Sequence, residues 1–331
     1  MRFGIRLIEY LGTTDDLVRL AVAAEEAGFD SVWFPHDPYM RNTWVLTSAV
    51  ACHTSKIAIG SVGTNPFTTD PCEIATWLAT LDELSDGRAL LGLGLHATAM
   101  VEWSGLDTSD YLIRTQEATE LIRRLLRGEV AEFTGKAFNW SNQCYLRFEP
   151  RRTEVPIYTC AFGQDYLELS GAIGDGSMPM ITPPESAATM VPPIRRGLRL
   201  NPRKDRFVIS GCAWLSLSET RKAAAADMRK MVAYFGPYFE DESLAHIGLT
   251  RADFETIRTL VRKRDYAAAY AAVTDDMLRL GIVGTPDDVI RNIEKLADLG
   301  INETNLGGPL GPDPLTAIQL MGKHVIPHFR G

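Results

Sequence analysis

The feature that most constrains this chain is an alternation. Short apolar runs, each the length of a buried strand, are followed by longer stretches of helical spacing, and the pair recurs eight times. The runs at 3–8, 31–34, 57–61, 89–94, 157–160, 177–181, 207–215 and 303–306 are predicted strands. Helices are predicted over 14–27, around 44–53, from 71 to about 84, over 110–127 and 164–173, after Pro184, and over 219–234, 286–299 and 315–321. The first carries Leu17, Leu20, Ala21 and Ala24 on one face, with Thr13 or Thr14 as its cap and Gly28 just past its end. Asp70-Pro71 opens the third with a capping residue before a first-turn proline. Strands alternating with helices specify a parallel sheet covered by helices. Eight units favour closure into a (β/α)8 TIM barrel over an open doubly wound sheet.

A chain of 331 residues holds one barrel with insertions as readily as two average domains. No Ser/Pro/Gly-rich linker or short-period repeat divides it, so one domain over 1–331 is expected. Two stretches depart from the repeat: 128–150, patterned as a hairpin, and 236–284, patterned as helices that form a lid or a packing appendage. With 45% hydrophobic and 23% charged residues the chain can bury a full core, and no apolar run approaches the length of a membrane span. A net charge of −8 argues against a nucleic-acid surface and leaves room only for a small local anion site. The five cysteines, Cys52, Cys72, Cys144, Cys160 and Cys212, are scattered and lack CxxC spacing. They predict reduced, mostly buried thiols, with no disulfide framework and no metal site. Arg6 and Glu9 interrupt the opening apolar stretch before a signal-peptide core accumulates, so the cytoplasm is the expected compartment.

Barrels do their chemistry in the loops that follow the strands. Those loops read Phe34-Pro35-His36-Asp37-Pro38-Tyr39, then Gly60-Ser61-Val62-Gly63-Thr64-Asn65-Pro66-Phe67, then Gly92-Leu93-Gly94-Leu95-His96. Later ones read Cys160-Ala161-Phe162-Gly163, Cys212-Ala213-Trp214 and Gly307-Gly308-Pro309-Leu310-Gly311. His36 and Asp37 are either a turn beside Pro38 or a proton donor with its orienting carboxylate. Gly92 and Gly94 allow the backbone to approach a planar ring, or simply make a tight turn. They are not a dinucleotide fingerprint, because the third glycine is missing and the motif sits in the fourth unit. Ala161, Phe162 and Gly163 directly precede a helix, so their N–H groups and the helix dipole offer a phosphate seat. Glu9, His96 and Trp214 are candidate substrate-pocket residues, while Trp33, Trp214 and Phe162 either wall a ring site or belong to the core.

The segments AAEEAGFDSVWF (23–34), GTNPFTTDP (63–71), LDELSDGRALLGLG (81–94), EATELIRRLLRGE (117–129), VPIYTCAFGQDYLELSGAIGDG (155–176) and GTPDDVIRNIEKLADLGI (284–301) carry a resemblance over nearly the whole chain. Together they resemble the bacterial luciferase-like flavin and deazaflavin oxidoreductases, and within them the methylenetetrahydromethanopterin reductase branch. The resemblance implies coenzyme F420 as cofactor, with FMN as the alternative, and hydride transfer to or from a small organic substrate. The rival readings are an FMNH2-dependent monooxygenase and a non-catalytic flavin-binding protein. The resemblance further implies a strand-three bulge behind the cofactor ring at Ser61, Val62, Gly63 and Thr64, often through a non-prolyl cis peptide. The peptide after Val62 is therefore expected to be cis or bulged. It implies phosphate binding at 161–163 and a homodimer. Two positions depart from the branch: its Asp-His pair is reversed in His36-Asp37, and an acid inside the first strand is replaced by Arg6. Both leave the substrate open.

Overall fold

Parallel pairings run from the first strand round to the last and close on themselves in the computed structural model, which describes residues 1–95, 97–160 and 163–331. The strands are β1 (Arg2–Arg6), β2 (Ser31–Pro35), β3 (Ala58–Thr64), β4 (Ala89–Leu93), β5 (Phe133–Thr134), β6 (Asn139–Trp140), β7 (Ile157–Thr159), β8 (Gly176–Ser177), β9 (Val208–Leu217), β10 (Ile282–Gly284) and β11 (Glu303–Leu310). The barrel takes β1, β2, β3, β4, β7, β8, β9 and β11 in order and shuts through the β11–β1 pairing of Arg2 with Glu303 and Arg6 with Gly307. The eight-stranded TIM barrel expected from the repeat is the fold. No helix among the described residues is long and apolar enough to cross a membrane.

The helices are α1 (Thr14–Glu26), α2 (Thr43–His53), α3 (Pro71–Leu84), α4 (Thr98–Glu102), α5 (Tyr111–Leu126), α6 (Gln164–Ile173), α7 (Ala187–Leu198), α8 (Arg221–Phe235), α9 (Asp241–Ala245), α10 (Glu255–Arg262), α11 (Tyr266–Ala272), α12 (Pro286–Leu299) and α13 (Pro314–Leu320). Local chemistry starts and stops them. Thr13 and Asp16 form a reciprocal capping box on α1, which ends before Gly28 at φ +88°, and Asp70 caps α3 by accepting from the Cys72 N–H.

Both faces of each barrel strand are buried, which is why the strands read as unbroken apolar runs. Outward residues such as Phe3, Ile5, Leu7, Val32, Phe34 and Ile59 pack under the helices. Inward residues form a separate cluster around Trp33, Val62, Leu90, Tyr158, Cys160 and Cys212. Trp33 is fully buried, its indole N–H donates to Ser31 Oγ at 2.8 Å, and Gly60 leaves the space its ring fills. It is core, and not part of a ring-site wall.

Several elements differ from expectation. The sixth strand shrinks to Gly176–Ser177, continued only by an isolated bridge between Met180 and Cys212. The last strand runs on to Leu310, with a register shift against β9 between Gly307 and Leu310. A ninth parallel strand, β10, pairs with the far end of β9. The excursion at 128–150 contains the β5–β6 hairpin, whose turn is held by Glu117 accepting from the N–H groups of Lys136, Ala137 and Phe138 at 2.8–3.1 Å. Of the cysteines, only Cys160 and Cys212 are buried; Cys52 and Cys72 are exposed because they face outward on helices at the rim. The expectation of mostly buried thiols is corrected.

Candidate functional site

The site is assembled at the C-terminal ends of the strands. After Ser61, β3 spends three residues where β4 spends two: Ser61 pairs with Leu91 and Thr64 with Leu93. This is a β-bulge. Gly63 takes φ +74°, and the described cis bonds are those of Thr182–Pro183 and Gly308–Pro309, so the bulge at Val62–Gly63 is built without a cis peptide. Thr64 Oγ1 donates to Ser61 Oγ at 2.7 Å, and the Gly63 N–H points at Cys160 Sγ, 3.4 Å away. Val62 lies in the inward cluster, while its carbonyl accepts from the His36 N–H at 2.9 Å. The bulge thus fixes the start of the loop that carries His36 and Asp37.

Gly92 and Gly94 serve the same architecture. A Cβ on Gly92 would stand 2.5 Å from the Ser61 carbonyl oxygen, and one on Gly94 would stand 2.3 Å from the Cys160 carbonyl oxygen. The close approach that these glycines permit is to the protein's own strands, and they act on the site by shaping its wall. Gly163, at φ +76°, is the N-cap of α6 and so offers no capping side chain; among the described residues nothing lies within 4 Å of where its Cβ would be. It lines a cavity of about 990 Å³ together with Leu95, Met180, Tyr166, Phe235 and Tyr238. His96, Ala161 and Phe162, also expected here, lie outside the described residues.

His36 and Asp37 line a second recess of about 310 Å³. The His36 ring packs 4.5 Å from Trp44, which packs in turn, tilted, against Trp77 at 4.2 Å. Desolvation lowers the imidazole pKa, and Nδ1 is buried with no partner among the described residues. Asp37 behaves in the opposite sense. Burial and the neighbouring Glu9 carboxylate push its pKa up to about 7 against an opposing pull from Arg6. No hydrogen bond joins His36 to Asp37 among the described residues, so the expected pairing of an acid with its orienting carboxylate is corrected. The Coulomb neighbours of Asp37 are Glu9 and Arg6, brought to it from the end of β1.

Trp214 is also reassigned. It packs against Phe235 and Phe239, with ring centroids 6.0 and 5.4 Å away, inside a second apolar cluster formed by α8 and the helices of 236–284. It reaches the site only through Phe235, which lines the larger cavity. Phe235 and Tyr238 were not anticipated as wall residues; the signal available was a dense aromatic stretch, Tyr234-Phe235-Gly236-Pro237-Tyr238-Phe239, at the start of the appendage.

A pocket of this volume at the mouth of a barrel, mostly apolar and with a helix N-terminus at its edge, is the arrangement in which planar phosphorylated cofactors bind. Known proteins agree with the architecture. The 5,10-methylenetetrahydromethanopterin reductase of Archaeoglobus fulgidus is 31% identical over 100% of both chains. An F420-dependent glucose-6-phosphate dehydrogenase of Nakamurella multipartita is 27% identical over 100% of this chain and 97% of its own. Among solved structures, the coenzyme F420 dependent tetrahydromethanopterin reductase of Methanopyrus kandleri superposes with a TM-score of 0.93 at 28% identity, covering 99% of each chain. Residues 2–303 match the luciferase-like monooxygenase family, and the chain belongs to that family.

Proposed function

We propose that the protein is a coenzyme F420-dependent oxidoreductase that moves a hydride between the deazaflavin and a small organic substrate. The observation that carries this reading is the likeness, over 99% of each chain, to the coenzyme F420 dependent tetrahydromethanopterin reductase of Methanopyrus kandleri. The residues present fit such a cofactor: the cavity of about 990 Å³ is large enough for a tricyclic ring, and Gly163 opens the α6 N-terminus toward it without a side chain in the way. When bound, the deazaflavin supplies two-electron chemistry, with carbon at the position where a flavin has its redox-active ring nitrogen.

The chain's own residues supply placement and the proton. Val62 and Gly63 present the bulge as a backing surface, and backbone N–H groups at 163–165 hold the phosphate. Asp37, poised near neutrality, gives or takes the proton that accompanies the hydride. His36, held as neutral imidazole with Nδ1 free, orients the substrate beside it. The reading includes a cytoplasmic homodimer; exposed Tyr39, Val45 and Trp103 supply apolar surface for a second copy.

The test follows reduced-cofactor oxidation with a panel of carbonyl and enoyl acceptors, under strict anaerobiosis and in air. Turnover with reduced F420 at the same rate in both atmospheres is expected. A requirement for reduced FMN and dioxygen, with oxygen incorporated into product, replaces this reading with a monooxygenase.

A further inference from the structure

The barrel mouth contains a cation that the proposed chemistry leaves unused. Arg6 is the last residue of β1, in register with Trp33 on one side and Gly307 on the other. Phe3, Ile5 and Leu7 belong to the outer layer, so Gly4 and Arg6 face the barrel interior. There the guanidinium lies flat over Gly307, whose absent Cβ would stand 2.6 Å from Nη2 and 2.8 Å from Nε. Arg6 is 4% exposed, and Nη1 is buried with no hydrogen-bond partner among the described residues. Other buried or half-buried arginines in this chain are satisfied. Arg123 bonds to Asp175 at 2.9 Å, and Arg88 reaches four acceptors across the ends of α2 and β3. Arg6 forms no ion pair with a carboxylate within 4 Å among the described residues, although Asp37 is close enough to feel its charge and the Cys212 thiol lies beside it.

A buried guanidinium with a free N–H is costly to leave unsatisfied, since the missing charge-assisted bond is worth more than a neutral one. Asp37, whose pKa burial raises to about 7, cancels it only in part near neutral pH. We infer that Arg6 is the recognition element for a substrate carboxylate, so that the acceptor in this site is a small organic acid with its reacting carbon close to its carboxyl group. The planar fork of an arginine suits a carboxylate better than a point charge would. Gly307 is what lets that fork lie against the strand. This inference rests on the proposed function for its reaction but not for its binding step.

The experiment separates the two. Thermal-shift and calorimetric titrations are run with matched pairs, crotonate against crotonamide and cinnamate against cinnamamide, on the protein alone and with oxidised F420. The acids are expected to bind at least tenfold tighter than their amides. Arg6→Gln abolishes that preference while changing F420 affinity by less than about twofold, and Arg6→Lys restores part of it. A wild-type protein that binds no acid better than its amide overturns the inference, as does Arg6→Gln with the preference intact. Should Arg6→Gln fail to fold, the wild-type comparison and Arg6→Lys decide alone. Loss of F420 binding by the wild type, with acid preference retained in the protein alone, defeats the cofactor reading and leaves this one standing.

Discussion

Asp37 stores a protonation free energy that has two measurable consequences. Its folded pKa of about 7 stands against an ordinary 3.8, because burial comes first and the Glu9 charge second. The sign follows from linkage: the fold favours the acid form, so stability is undiminished below about pH 3.8 and is lost progressively as pH rises toward 7. Asp37→Asn removes that loss. It is expected to raise unfolding free energy by about 1–2 kcal/mol at pH 8, after discounting for partial exposure, with the gain shrinking toward pH 4.5. Chemical denaturation across that range measures it. The same variant removes the proposed proton donor, so turnover should fall roughly 100-fold and the decline in wild-type kcat/KM above about pH 7 should vanish. At this scale the sequence showed two polar residues at a strand end and not their partners. His36 and Asp37 were visible as polar residues at a strand end, but which charges face them depends on β1 and β2 being neighbours. Adjacent residues in an extended loop point apart, so the local pair was the wrong guess.

The bulge in β3 is the element on which the site turns, and Gly92 across the ladder is what makes room for it. Alanine at 92 would bring a methyl group to 2.5 Å from the Ser61 carbonyl oxygen and 3.0 Å from Val62 Cα, both backbone atoms that cannot swing aside. Gly92→Ala should therefore cost about 1–3 kcal/mol by overpacking. It should also weaken F420 binding by at least tenfold, because the displaced segment is the one proposed to back the ring. Denaturation and a fluorescence titration check the two effects, and a variant that loses stability with cofactor affinity intact separates Val62 from the binding surface. Element by element, the sequence was most legible where both strand faces are buried and a cap follows: α6 and α12 begin and end where the spacing placed them. It was least legible where a strand is too short to show a period. β8 has two residues before Pro179 interrupts it, and β10 has three, paired only with the overhang of β9. The helix α4 gave no signal because five residues do not complete an amphipathic pattern.

The described residues form three apolar clusters, two within the barrel and one in the appendage, and the last bears on the site. Helices α9, α10 and α11 pack with α8 around Phe254, Leu244, Ile257 and Trp214, beside the barrel. Phe254 is fully buried, and its ring occupies the space above Gly236, where a Cβ would come within 2.5 Å of it. That contact holds the turn Gly236–Tyr238 from which Tyr238 reaches the larger cavity, while Arg279 ties the same region to Glu185 at 2.8 Å in the loop after β8. The sequence showed a helical excursion but not what it covers, since its apolar faces close on one another and on β9, contacts that no local period encodes. Because these contacts are few and peripheral to the barrel, the appendage should open as a unit before the barrel does. Phe254→Ala removes the largest fully buried side chain of that cluster and is expected to cost the appendage about 3–5 kcal/mol. Hydrogen exchange should then accelerate from α8 through α11 to residue 281 while the amides of β1 to β4 keep their protection. F420 affinity should fall several-fold as Tyr238 and Phe235 lose their positions, with Asp37's pH dependence unaltered because the charges that act on it, Glu9 and Arg6, come from the end of β1 and not from the appendage. Uniform loss of protection across β1 to β4 would instead mean that the appendage and the barrel share one cooperative core.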